Sequence, residues 1–297
     1  MNTEPAMTQP TPAPTRIAAV QYLNTVTLIE GLETWNGCSL VKAVPAKIAP
    51  MLTERHADIG LASIVDALNP QNDLALIPSG MIGCDGPTLT VRLFSSVPID
   101  QITRVHADTD SHTSVMLADL LLRELHNITA EFVEFDARER MSIAQDRSID
   151  PDEAWPETLL IIGDKVVVDS PPAIRYPHQI DLGEAWHTLT NLPFVYACWM
   201  CRASDSNTTM IDEAAAMLER VRLRNDQRLD WLVTREAKAH NWPGDLARTY
   251  IGQLLSFNVD DRARQAVELF ATKLKHHGIL NAKQPQWVER SAPAPSA

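Results

Sequence analysis

The chain has 297 residues, 45% of them apolar, and a formal net charge of −12. That is enough for one large core or two linked lobes, and the acidic balance argues on electrostatic grounds against a nucleic-acid or anionic-membrane partner. No apolar run approaches the roughly 18 residues of a membrane span.

The opening "MNTEPAMTQPTPAPT" has neither a basic start nor an apolar run. It reads as a disordered tail over 1–15 rather than an export signal. The C-terminal 283–297 reads the same way. Without a signal, the natural compartment is the cytoplasm, and Cys38, Cys84, Cys198 and Cys201 are expected as free thiols.

Between the tails, strand and helix patterns alternate. A strand is predicted over 16–23 and a short helix over 26–35, with Leu28, Ile29, Leu32 and Trp35 on its apolar side. "SLVKAV" (39–44) is a second strand, after which Pro45 is placed to open a helix. "ADIGLASI" (57–64) is a buried strand, and "LALIPSG" and "TLTVRLFSS" are strand-like. "ITRVHAD" (102–108) then leads into a strong helix over 111–125, followed by strands over 130–135 and 158–164. "LPFVYACWM" (192–200) is a continuous apolar run, expected of a strand covered on both faces. Beyond it the chain is mostly helical. One helix is predicted to start near the cap Asn207, and another to run from the cap Asp260 to Lys275 with Gly278 as its stop.

This alternation predicts an α/β fold with largely parallel sheets. Two blocks, 16–35 and 102–125, each carry a strand followed by a hydroxyl-rich helix start. The pattern predicts a chain that builds lobe one over 16–101, builds lobe two over 102–195, and returns to lobe one over 196–282. Two crossings make a hinge, and a hinge makes a cleft.

Ligands of α/β units collect outside the carboxyl ends of strands, where free backbone N–H groups at helix starts carry partial positive charge. Asn24 and Thr25 sit at such a place, and so do Ser111, His112, Thr113 and Ser114. These residue types are also the favoured plain caps. The joint case is stronger than either motif, because two such starts facing one cleft fit a carboxylate ligand. Ser63 ends a strand and reads equally as a ligand contact or a turn hydroxyl. Asp164 follows "LLIIG" and either points to the cleft or caps the next turn. "DGPT" (85–88) is turn chemistry first and a ligand-proximal loop second. "CWMC" has metal or redox spacing, but residues three apart on a strand face opposite sides, so a structural role is expected. No HExxH, GxGxxG, GxxxxGK[ST] or GxSxG is present.

Taken in order, "YLNT", "TSVMLADLLL", "LLIIGD", "DLGEAW", "TNLPFVYACW" and "LLSFNVDDRARQAVELFATKL" resemble the menaquinone-biosynthesis family of the futalosine pathway, over about residues 16–280. The resemblance implies a two-lobed type II periplasmic-binding-protein-like fold with a hinge and an interlobe cleft. It implies dehydration of chorismate, a dianionic small molecule, to 3-enolpyruvylbenzoate, with no metal or organic cofactor. A sister activity of the same pathway forms 1,4-dihydroxy-6-naphthoate, and a non-catalytic small-anion binder of the same fold is a further alternative. The family's asparagine maps to Asn24, here the catalytic candidate. Thr25, Ser63, Ser111, Thr113, Ser114 and Asp164 are the candidate substrate-binding residues. Gln21, His112 and Asn191 depart from the usual pattern, and the first two border the expected cleft. Oligomeric state is not legible.

Overall fold

The computed structural model describes residues 13–35, 37–109, 112–135 and 155–289. Among the described residues, eleven strands form two sheets. The first is six-stranded, in the order β11-β4-β10-β3-β1-β2. It uses β1 (Thr15–Ala19), β2 (Cys38–Lys42), β3 (Ile59–Ser63), β4 (Leu74–Cys84), β10 (Phe194–Arg202) and β11 (Leu255–Ser256). The second is five-stranded, β7-β6-β8-β5-β9. Its members are β5 (Val91–Ser95), β6 (Arg104–Asp108), β7 (Glu131–Phe135), β8 (Thr158–Ile162) and β9 (His178–Asp181).

Both sheets are mixed rather than largely parallel. β1 pairs in parallel with β2 and β3, but β10 runs antiparallel to both β3 and β4. In the second sheet β6 is parallel to β7 and β8, whereas β5 is antiparallel to β8 and β9. The chain therefore crosses between sheets at 85–90, ahead of β5, and not at 101. An apolar strand pattern does not say which sheet the strand will join.

The continuous apolar run behaves as its composition requires. β10 lies between β3 and β4 with both faces covered. Cys198 packs in the core on one face and Cys201 in the core on the other, so the two thiols are held apart and unpaired.

The helices in chain order are α1 (Val26–Ile29), α2 (Pro45–Thr53), α3 (Ile64–Leu68), α4 (His112–His126) and α5 (Lys165–Val168). They continue with α6 (Leu182–Thr190), α7 (Thr209–Asp226), α8 (Leu229–Ala239), α9 (Gly244–Thr249) and α10 (Asp261–His276). Pro45 opens α2 as its fixed φ favours. α10 begins with the Asp260 carboxylate accepting from the Ala263 N–H at 2.8 Å, and three basic residues in its last turn complement the helix dipole. Thr208, not Asn207, caps α7. The helix expected over 26–35 is only four residues long. Gly31, at φ +87, breaks it, and a 3-10 turn over Leu32–Thr34 follows.

Two features tie the sheets together. Trp186 of α6, Phe194 of β10 and Phe270 of α10 meet edge-to-face, with ring centroids 5.0–5.7 Å apart. Such buried aromatic triads add roughly 0.5–1.5 kcal/mol per pair beyond their area. The second feature is Asp181 at the start of α6. Its carboxylate accepts from the backbone N–H groups of Gly183 and Glu184 and from those of Thr88 and Leu89 in the crossing segment. Gly183 permits this approach, since a Cβ there would collide with the Thr88 hydroxyl, the Cys84 thiol and the Gly86 carbonyl.

The tail expected from 283 is packed as far as 289. The Leu76 N–H donates to the Gln286 carbonyl and the Val288 N–H to the Leu76 carbonyl, Val288 is buried, and Arg264 lies over the Trp287 ring. Those two apolar residues supply the burial that a Pro- and Ser-rich tail lacks. The remainder of both expected tails, 1–12 and 290–297, lies outside the described residues.

Candidate active site

A cleft of about 690 Å³, its open mouth included, lies between the sheets. Most of its wall is apolar, from Val20, Leu61, Ile82, Val91, Ile162 and Leu255. A few polar groups interrupt that wall.

From the first sheet come Asn24, just past β1, and Ser63 at the carboxyl end of β3. From the second come Thr113 and Ser114, in the first turn of α4, together with Gly163 after β8. α4 is fifteen residues long, so its first turn offers N–H groups backed by a developed dipole. The Thr113 hydroxyl donates to the Tyr196 carbonyl at 3.1 Å, which leaves its oxygen lone pairs for a ligand. The Asn24 Oδ1 atom is buried with no hydrogen-bond partner.

The remaining candidates fall elsewhere. Thr25 is fully buried and does not line the cleft. Its hydroxyl donates to the Tyr22 carbonyl at 2.8 Å, with the Val20 carbonyl 3.0 Å away, so it closes the turn that presents Asn24. Asp164 stands behind the cleft wall. It accepts from the Leu23 N–H at 3.4 Å and faces His240 Nδ1 at 3.0 Å. A parallel pair joins His112 Nδ1 to Asp66 Oδ1 at 3.2 Å. The His112–Asp66 pair joins the start of α4 to α3, and Asp164 joins the turn after β8 to Leu23 and to the end of α8. The carboxylates raise the pKa of both imidazoles, principally through these hydrogen bonds and against the opposing effect of burial. Ser111 lies outside the described residues.

Four lining hydroxyls escaped sequence reading. Thr88 bonds Tyr196 Oη at 2.7 Å, and Thr90 bonds Tyr250 Oη at 2.7 Å. Burial holds both phenols in their neutral form, with Tyr196 well above its ordinary pKa and Tyr250 also raised. The loop reading of "DGPT" was the available signal for Thr88. Nothing local marks Tyr250, which opens a single π-helical turn over Tyr250–Leu254.

Two mixed α/β lobes around a polar-studded apolar cleft define the type II periplasmic-binding-protein-like class. The fold is shared with a protein of Archaeoglobus fulgidus (TM-score 0.63, 12% identity, 89% of this chain and 98% of that one). It is shared too with the alkanesulfonate-binding protein of Xanthomonas axonopodis pv. citri, solved with MOPS bound (TM-score 0.63, 14% identity, 94% and 99%). Within that class the chain belongs to the menaquinone biosynthesis family, whose model matches residues 15–276. A chorismate dehydratase of Thermus thermophilus is 28% identical over 180 residues, covering 56% of this chain and 62% of the relative, less than two thirds of its length.

Proposed function

We propose that the chain is a hydro-lyase, a chorismate dehydratase of the futalosine route to menaquinone, acting in the cytoplasm. Chorismate carries a ring carboxylate and an enolpyruvyl carboxylate. The reaction breaks the C3–H and C4–O bonds, forms the C3–C4 π bond, and releases the proton and hydroxide together as water. Aromatisation of the ring supplies the driving force.

The C3 proton is acidified through the conjugated ring carboxylate, onto which charge moves as the proton departs. N–H groups and hydroxyls at the start of α4, with Thr113 and Ser114, suit that carboxylate. Asn24 has no useful basicity, and its amide orients the departing C4 hydroxyl. Ser63 completes the polar lining from the opposite side. The described lining offers no carboxylate and no imidazole, and its two phenols are held protonated. His112 and Asp164 are engaged with Asp66 and His240 outside that lining. The substrate's own enolpyruvyl carboxylate is therefore the proton acceptor in this reading. Closure of the two lobes excludes water and fixes the geometry.

The observation that carries the reading is the opposition, across one apolar cleft, of the α4 start and a buried, unpartnered amide oxygen. The test is to incubate the purified protein with chorismate and follow products by mass spectrometry. Chorismate is expected to disappear with equimolar appearance of 3-enolpyruvylbenzoate. Tight binding without product would make the chain a binding protein. Turnover of a cyclic futalosine derivative alone would make it the sister synthase.

A further inference from the structure

One buried ion pair has no part in the reaction as derived above. Lys165 Nζ lies 2.5 Å from Asp108 Oδ2, and the two side chains are 12% and 2% exposed. Asp108 ends β6, and the next helix along the chain, α4, begins at His112. Lys165 opens α5, just past Gly163 and Asp164 at the end of β8. β6 and β8 are parallel neighbours, with Ala107 in register with Leu160. Asp108 is one residue beyond that register, and on β8 the cleft wall begins at Ile162 and Gly163. The pair therefore bridges the junctions that lead into α4 and α5. Neither Lys165 nor Asp108 lines the cleft itself.

Buried ion pairs seldom add net stability, because desolvating two charges offsets their attraction. Their charges do act over a longer range than surface ones, since little water screens them. The signs matter here. A carboxylate just ahead of a helix is drawn to its free N–H groups and positive end, and it repels any other anion that would dock there. Asp108, unopposed, would compete with the carboxylate that Thr113 and Ser114 are placed to receive. The Lys165 ammonium, in contact with Asp108, cancels that charge.

We propose that Lys165 is a positioning residue of the carboxylate site, acting through Asp108: it neutralises a buried acid at the approach to α4 and so keeps the start of that helix open to a ligand anion. The affinity of the cleft then depends on ligand charge as well as ligand shape. The inference rests on the proposed function only in placing the ligand carboxylate at α4.

The test uses benzoate and benzamide, which have nearly the same shape and differ in charge. Their dissociation constants are measured by ligand-observed NMR on the full chain. The wild type is expected to prefer benzoate. Lys165→Met leaves the Asp108 charge without this cation and is expected to weaken benzoate about tenfold. Asp108→Asn keeps the shape of the side chain, removes the negative charge, and is expected to tighten benzoate about threefold or more. The double variant should return to within about threefold of wild type. Benzamide should change little in all three. Circular dichroism establishes that each variant folds, and should Lys165→Met fail to fold, Asp108→Asn and the double variant decide. Benzoate affinity that is unmoved or lowered by Asp108→Asn, or benzamide that shifts as far as benzoate, overturns the inference and leaves the pair a purely structural role. A wild type without preference for benzoate overturns it together with the carboxylate site. Opposite shifts in the two single variants, in a protein that does not turn over chorismate, uphold it and reject the dehydratase.

Discussion

The two helix starts that face each other across the cleft look alike in sequence and do different work. The first, Leu23–Thr25 followed by the four-residue α1, is too short to build a useful dipole. It contributes one side chain, Asn24, while its neighbour Thr25 turns inward to close the backbone. The second, α4, runs fifteen residues and offers its first-turn N–H groups along with two hydroxyls. One start presents an amide and the other a positive helix end. Ser, Thr and Asn at a strand-to-helix junction are therefore not one signal. The length of the helix behind them decides whether a ligand meets a dipole or a lone side chain.

Asn24→Ala gives the largest expected break in that symmetry. Loss of a positioned polar group at the reacting centre costs about 10²–10³ in kcat. Stability should not suffer, because the substitution removes a buried oxygen that has no partner. The expected outcome is a kcat at least about 100-fold lower, with a urea midpoint equal to or above wild type. Near-normal turnover would remove Asn24 from the site. Thr25→Val should do the reverse. It deletes a fully buried hydroxyl that serves the Tyr22 carbonyl, at a cost of about 1–2 kcal/mol in urea unfolding, and should leave kcat within about threefold provided the turn keeps its shape. A large kcat loss without a stability loss would return Thr25 to the cleft.

Much of the scaffold was legible because local rules suffice for it. The apolar run of β10, the Asp260 cap of α10, Pro45 at the start of α2 and the opposed cysteines of "CWMC" follow from pattern, cap chemistry and strand alternation. What stayed hidden depends on topology. Val91–Ser95 reads as a strand, but only pairing with β8 and β9 assigns it to the second sheet. Thr90 and Tyr250 are 160 positions apart, and no periodicity brings their hydroxyls together. Asp164 sits one residue past Gly163, which does line the cleft. The backbone there, at φ +71 on Gly163, turns the carboxylate toward Leu23 and His240 instead.

The smallest expected effect concerns how each start is tied to the opposite side. The first is held through Leu23, Asp164 and His240; the second through His112 and Asp66. His112 faces Asp66, whereas His240 faces Asp164 and, from α8, Glu236 at 3.9 Å. Both imidazoles have raised pKa values in the folded chain. A group whose folded pKa exceeds its unfolded value, near 6.5 for histidine, stabilises fully below that value. The contribution disappears as pH climbs through the folded pKa. Thermal stability should therefore decline from about pH 6 toward pH 8, by on the order of 2 °C in Tm. His240→Gln should flatten this slope more than His112→Gln, because the His240 side chain is 21% exposed and that of His112 is 42% exposed, and solvent screens the more open pair. Equal flattening would mean that the two ties are interchangeable. A slope that both variants leave intact would assign the pH dependence to other groups and leave the two starts held by packing alone.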